Sequence, residues 1–129
     1  MGMATDHNVL IEVLTASAQW IAHFNAGRVQ ECVNTYLPQA IMNAAPAGSF
    51  RGRAAIAGFW GPFVESGAGE LVYTDVALEM ESSTRVRLRA NWRMNVGRGI
   101  ITNELWQLDD DGCWRLAEDD FEVQEQFAA

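Results

Sequence analysis

The chain contains no lysine: its nine basic residues are all arginine, set against 17 acidic ones for a formal net charge of -8. A surface of that sign repels phosphate backbones and anionic bilayers, so neither nucleic acid nor a membrane is an expected partner. Cysteine and histidine are scarce as well. Cys32 and Cys113 stand far apart, form no C-x-x-C and accompany only two histidines, which leaves neither a zinc pattern nor a disulfide framework. They read as two ordinary thiols in a reducing compartment. No apolar run approaches the length that spans a bilayer and no signal-peptide core opens the chain, so a cytoplasmic protein is expected. Internal repeats and low-complexity segments are absent too.

What the chain has in quantity is apolar and aromatic surface. Hydrophobic residues make up 49% of its 129 positions and include five Trp and six Phe. One domain spanning residues 1–129, with a core of its own, follows from that supply. The first half carries helical periodicity. Leu10, Val13, Leu14, Ser17, Trp20, Ile21 and Phe24 fall on one helical face behind the possible N-caps Thr5, Asp6 and Asn8, and Gly27 supplies the left-handed residue that stops the helix. A second, short helix is predicted to bury Val29, Cys32, Val33 and Tyr36 and to end at Pro38. Residues 40–45 read as a short strand and Pro46, Gly48 and Gly52 as an irregular loop. A third helix over Arg53 to Glu65 presents Ile56, Phe59, Trp60 and Phe63.

From Glu70 the period changes from 3.6 to 2. Val72, Val76, Leu78 and Met80 alternate with Tyr73, Asp75, Glu79 and Glu81. After a turn at residues 82–84, Val86, Leu88, Ala90, Trp92 and Met94 alternate with Arg85, Arg87, Arg89 and Arg93. That register pairs Glu81 with Arg85 and Glu79 with Arg87, which makes the arginine run a solvated strand face and not a binding patch. A turn is predicted at residues 96–99.

The stretch from Gly99 to Phe121 then reads as a hairpin about the Asp-Gly turn that ends at Gly112. Strict alternation puts Glu104 on the same face as Trp106 and Leu108. On the second strand it puts Ala117, Asp119 and Phe121 on one face and Leu116, Glu118 and Asp120 on the other. At least one acid points inward whichever face is buried. Periodicity alone leaves the phase open. Two acids facing one apolar cavity form a candidate site, because desolvation raises a carboxyl's pKa toward neutrality.

Four segments in order, W-I-A-H-F-N-A-G-R from Trp20, Y-L-P-Q-A-I from Tyr36, R-G-R-A-A-I-A-G-F-W from Arg51 and E-L-W-Q-L-D-D-D-G-C-W-R-L from Glu104, resemble the nuclear transport factor 2-like (NTF2-like) superfamily. That group includes ketosteroid isomerases, SnoaL-type cyclases, scytalone dehydratase and limonene epoxide hydrolase. The resemblance implies an α+β cone, with three helices packed on a strongly curved, mainly antiparallel sheet. It also carries site positions. The isomerases' catalytic tyrosine falls at Trp20, their general-base aspartate at Ala44 and their protonated aspartate at Glu104, while Tyr36 and Trp60 take the place of network tyrosines. The cyclases' catalytic aspartate falls at Asp119 and the histidine two residues before it at Ala117.

On this reading Asp119 and Glu104 are the candidate catalytic residues, in a pocket lined by Trp20, Phe24, Tyr36, Phe59, Trp60, Trp92, Met94, Trp106 and Phe121. A hydrophobic carbonyl compound is the expected ligand, and no metal or organic cofactor is required. Cofactor-independent isomerase, cyclase or lyase chemistry is one expectation, and a binding module without chemistry is the other. A homodimer through the convex sheet face is expected, with Leu71, Tyr73, Ala77, Ile101 and Leu105 as its outward apolar residues. Arg53 and Arg115 are the arginines available to pair with an inward acid.

Overall fold

In a computed structural model describing residues 6–128, the chain runs α1 (Asp6–Asn25), α2 (Val29–Asn34), β1 (Tyr36–Ala45), β2 (Gly48–Arg51), α3 (Arg53–Glu65), β3 (Val72–Ser82), β4 (Arg85–Met94), β5 (Gly97–Leu108) and β6 (Trp114–Gln126). The possible cap Thr5 lies outside the described residues. The strands form one curved sheet in the order β2-β1-β6-β5-β4-β3. Every neighbouring pair is antiparallel except β1 with β6, which run parallel. The core fills the space between the helices and the inner face of the sheet.

Helix α1 buries Val9, Val13, Ser17, Trp20 and Phe24. Leu14, expected in that stripe, is 43% exposed, because it lies about 100° round the helix from Val13. Gly27, at φ 75, ends the helix as predicted, and Arg28 N–H donates to the His23 carbonyl at 2.9 Å. Helix α3 has the predicted limits, and buries Ile56 and Trp60.

Four predictions between residues 36 and 99 are corrected. Tyr36 is not on the second helix: α2 stops at Asn34, and Tyr36 opens β1 opposite Leu116 of β6. Pairing with β6 overrides the local helical pattern here. Pro38 does not end a helix but sits within β1, where the β1/β6 register breaks between Tyr36 and Ile41 and a missing N–H interrupts no ladder bond. The loop expected at Pro46, Gly48 and Gly52 contains a further strand. Residues 48–51 fold back on β1, pairing Ala44 with Gly48 through Ile41 with Arg51. Met94 and Gly97 likewise pair directly, so the turn predicted at residues 96–99 is tighter and β5 begins at Gly97.

The register breaks at several places along the long strands, and three of these breaks, each a bulge, set the inner face. In β3 the register skips between Thr74 and Ala77, with Asp75 at φ 53. Tyr73 thereby reaches the inner side along with Leu78 and Met80. In β5, Thr102 is the extra residue between the pairs Ile101–Phe121 and Asn103–Asp120, so Ile101 faces inward together with Glu104 and Trp106. In β6, Ala117 is extra between Leu116–Trp106 and Glu118–Leu105, so Leu116 and Asp119 are both buried inside. Each predicted phase of β6 therefore holds on its own side of the bulge.

The same bulges correct the expected outer face. Leu71, Tyr73 and Ile101 line the inside, while Ala77 and Leu105 remain outside. Leu105 is nevertheless buried, between its cross-strand partners Arg87 and Glu118. Glu79 stands opposite Arg87 as predicted, whereas Arg85 faces Ser82 across the ladder and meets Glu81 through its side chain at 3.2 Å. Arg87 pairs with Glu81 and with Glu118. Arg85 and Arg87 of the arginine face are thus neutralised by their own neighbours.

Candidate active site

The inner face holds a cavity of about 300 Å³. Aromatic rings make most of its wall: Trp20 from α1, Phe59, Trp60 and Phe63 from α3, Tyr73 and Trp92 from the sheet, and Phe121 from β6. The rings hold one another in place. Trp20 stacks on Phe24 at 5.4 Å and meets Trp60 edge-on at 5.5 Å, and Trp60 stacks on Phe121 at 5.6 Å. Ala44, Ala45, Pro46 and Ala47, at the tip of the β1/β2 hairpin, close one side.

One carboxyl belongs to this wall. Asp119 is buried, and its Oδ2 accepts a hydrogen bond of 2.6 Å from the Tyr36 hydroxyl. That hydroxyl in turn accepts from Trp60 Nε1 at 3.2 Å. Trp60, Tyr36 and Asp119 therefore form a chain of donors ending at the carboxylate. Asp119 Oδ1 accepts no hydrogen bond from the described residues, and it remains available to whatever occupies the cavity.

Glu104 is paired with Asp119 across the β5/β6 ladder but stands behind the wall. Both of its oxygens are engaged: Tyr73 Oη donates to Oε2 at 2.8 Å and Trp106 Nε1 to Oε1 at 2.9 Å. Tyr73 lines the cavity, so it stands between the ligand space and this second acid.

Burial pushes both carboxyls up from their ordinary range. For Glu104 the neighbouring Asp119 charge adds to that rise, while the Tyr73 and Trp106 donors oppose it. For Asp119 the Tyr36 donor pulls down and Asp120 pushes up. Two acids in cross-strand register resist ionising together, so the pair holds a proton into the neutral range. Burial likewise keeps the Tyr36 and Tyr73 phenols protonated, as donors. Neither expected arginine relieves the acids: Arg115 pairs with Asp109 and Asp111, and Arg53 donates to the carbonyls of Tyr36 and Asn34.

Of the residues singled out from the sequence, Asp119, Trp20, Phe59, Trp60, Trp92, Met94 and Phe121 line the cavity. Phe24, Tyr36, Trp106 and Glu104 pack behind it. Sequence reasoning missed Tyr73, whose alternation placed it outside, and the only signal was the cluster of polar residues at 73–75 where a bulge interrupts the strand. Among the described residues no three His, Cys, Asp or Glu side chains are grouped to hold a metal ion. Cys32, whose thiol burial pushes up to about 12, donates to the Trp20 carbonyl and is inert packing.

The whole arrangement, a helix-lined inner face on a curved six-stranded sheet with acids at its centre, is the NTF2-like fold. No protein-family model and no curated protein matches the chain by sequence. Solved structures do match in shape. A putative scytalone dehydratase from Novosphingobium aromaticivorans is 12% identical with a TM-score of 0.73, over 93% of this chain and 87% of the other. A protein from Catenulispora acidiphila in complex with S-DNPA is 17% identical with a TM-score of 0.77, over 92% and 95%. A ketosteroid isomerase-like protein from Erwinia carotovora atroseptica is 14% identical with a TM-score of 0.72, over 90% and 96%. At such identities the likeness establishes the fold and leaves the chemistry to the site.

Proposed function

We propose that the cavity takes an apolar, carbonyl-bearing small molecule and that Asp119 moves a proton on it without a cofactor. The observation that carries this reading is one buried carboxyl in a mainly apolar wall, with one oxygen held by Tyr36 and the other receiving no hydrogen bond from the described residues. Desolvation gives it the basicity that proton abstraction beside a carbonyl needs near neutral pH. Glu104, its oxygens engaged by Tyr73 and Trp106, is pushed up further by the Asp119 charge, so it keeps its proton while Asp119 ionises. Isomerisation, cyclisation and elimination all begin with such a step. The ligand-bound Catenulispora structure supports small-molecule binding by this fold.

A second reading, binding without turnover, draws on Ala44. The position that the isomerase resemblance assigns to a general base is a methyl group in the cavity wall. A homodimer through the outer sheet face is part of both readings.

1-Tetralone in deuterium oxide separates the two. Proton abstraction by Asp119 exchanges the hydrogens beside the ketone for deuterium, which mass spectrometry reads without any knowledge of the natural substrate. Asp119→Asn is expected to lower the protein-catalysed rate about 100-fold, the low end for a general base. Tetralone that binds but does not exchange supports the binding reading instead.

A further inference from the structure

Most of the cavity wall is shut away from solvent, and its exposed members mark the rim of its opening. Ala45, Pro46 and Ala47 at the tip of the β1/β2 hairpin are exposed on one side, and Gln126 near the end of β6 on the other. The hairpin tip offers a ligand only apolar side chains. Gln126 offers an amide.

A further break in β6 turns Gln126 toward the cavity. Gly99 pairs with Val123 and Arg98 with Glu125, so Gln124 is the extra residue of a bulge. Val123 lines the cavity, and strict alternation from it would put Glu125 inside and Gln126 outside. The bulge reverses this. Glu125 pairs with Arg98 at 2.8 Å on the exposed side, and Gln126 joins the wall. The end of the strand is fixed as well: Phe127 N–H donates to the Val96 carbonyl at 3.0 Å, and the Arg93 guanidinium lies 4.6 Å over the Phe127 ring. Gly97 faces Gln126 across the ladder, and a Cβ there would lie 2.6 Å from the Glu125 carbonyl oxygen, so the two strands close tightly at this point.

The other polar side chains of the wall are committed or shielded. Tyr73 donates to Glu104 and Trp60 to Tyr36, the indole nitrogens of Trp20 and Trp92 are buried, and Asp119 sits deep in the cavity. The Gln126 amide makes no hydrogen bond to any described residue, so its N–H groups and its carbonyl are all unclaimed. Along β6 it is separated from Asp119 by at most roughly 20 Å, at about 3.3 Å per regular step. We propose that Gln126 is a specificity-determining residue of this cavity, hydrogen-bonding a neutral oxygen substituent at the far end of a ligand whose carbonyl lies beside Asp119. This rests on the carbonyl class of the proposed function and narrows it to elongated apolar molecules with an oxygen at each end. The wall contains no arginine, so an anionic tail would find no counter-ion in it.

Titration calorimetry with 4-phenylcyclohexanone and 4-(4-hydroxyphenyl)cyclohexanone tests the assignment. Both carry the same ketone, and only the second carries a hydroxyl at the opposite end. The hydroxyl compound is expected to bind about three- to tenfold more tightly, the worth of one neutral hydrogen bond. Gln126→Leu should abolish that preference, while Gln126→Glu, which keeps an acceptor for the hydroxyl, should retain it.

A preference that survives Gln126→Leu, or that is lost instead in Asp119→Asn, would overturn the assignment. Equal loss of both ketones in Gln126→Leu would overturn it also, as damage to the rim. Failure of both ketones to bind while 1-tetralone still exchanges its hydrogens would overturn the two-ended ligand and leave proton transfer by Asp119 standing. A preference that depends on Gln126, without deuterium exchange of either ketone, would uphold the subsite and remove the base.

Discussion

At the scale of single residues, the chemistry turns on two acids that the fold takes out of water. An acid whose folded pKa lies above its unfolded value binds its proton more tightly when folded. Its contribution to stability is therefore complete below a pH of about 4 and is lost as pH rises through the folded midpoint. Glu104 and Asp119 both have that sign. Stability to urea is accordingly expected to fall between pH 4 and pH 8, and Glu104→Gln should flatten the fall. Gln has nearly the shape of Glu, and the Tyr73 hydroxyl can turn to accept from the new amide, so the variant should exceed the parent at pH 8. The gain should be on the order of 1–3 kcal/mol, since one unit of pKa displacement is worth about 1.4 kcal/mol. Parallel stability curves for the two proteins would show that Glu104 ionises without cost. Tyr36 and Tyr73 differ in consequence: one holds the acid at the cavity, the other separates the ligand space from the acid behind it.

At the scale of elements, the site is made by bulges. Tyr73, Glu104 and Asp119 each lie beside a break in their strand's alternation, at Asp75, Thr102 and Ala117. Without those extra residues the polar groups could not share an inner face with Ile101, Leu116 and Leu78. Gly99 has an equally local task under Trp92. Gly99→Ala is expected to lower stability by about 2 kcal/mol or more, through overpacking against the Trp92 ring and the Glu122 carbonyl. An unchanged urea midpoint would contradict that account.

The same features mark how far the sequence could be read. Periodicity locates α1, α3 and the four long strands, since each has enough residues for its period to emerge. The Asp-Gly turn before β6 is plain as well. Tyr36 and Pro38 misled because the partner that pulls residue 36 into a strand is 80 positions away, at Leu116. Tyr73 and Ile101 were misplaced because one inserted residue inverts every assignment beyond it. Asp119 was reached through resemblance to the cyclases, and alternation left its phase open because the strand obeys both phases in turn.

At the scale of the whole molecule, charge and surface set the company the protein keeps. Its ion pairs lie on the outside: Arg87 with Glu81 and Glu118, Arg98 with Glu125, Arg115 with Asp109 and Asp111. Among the described residues no helix is long and apolar enough to cross a membrane. Apolar surface does remain on the edge strand β3, where Val72 is 51% and Val76 41% exposed. The proposed homodimer would cover part of the outer face, and sedimentation velocity at micromolar concentration should show a species of twice the chain mass. A single monomer peak would contradict it. The central claim, that a desolvated Asp119 in an apolar cavity moves protons, is tested most directly by the pH profile of 1-tetralone deuterium exchange. The account predicts a rate that climbs through the neutral range, that is lost in Asp119→Asn, and whose midpoint moves upward in Tyr36→Phe, where the donor to Asp119 is gone. A rate already flat above a pH of about 5, where an ordinary aspartate is fully ionised, or one unchanged by Asp119→Asn, would contradict it.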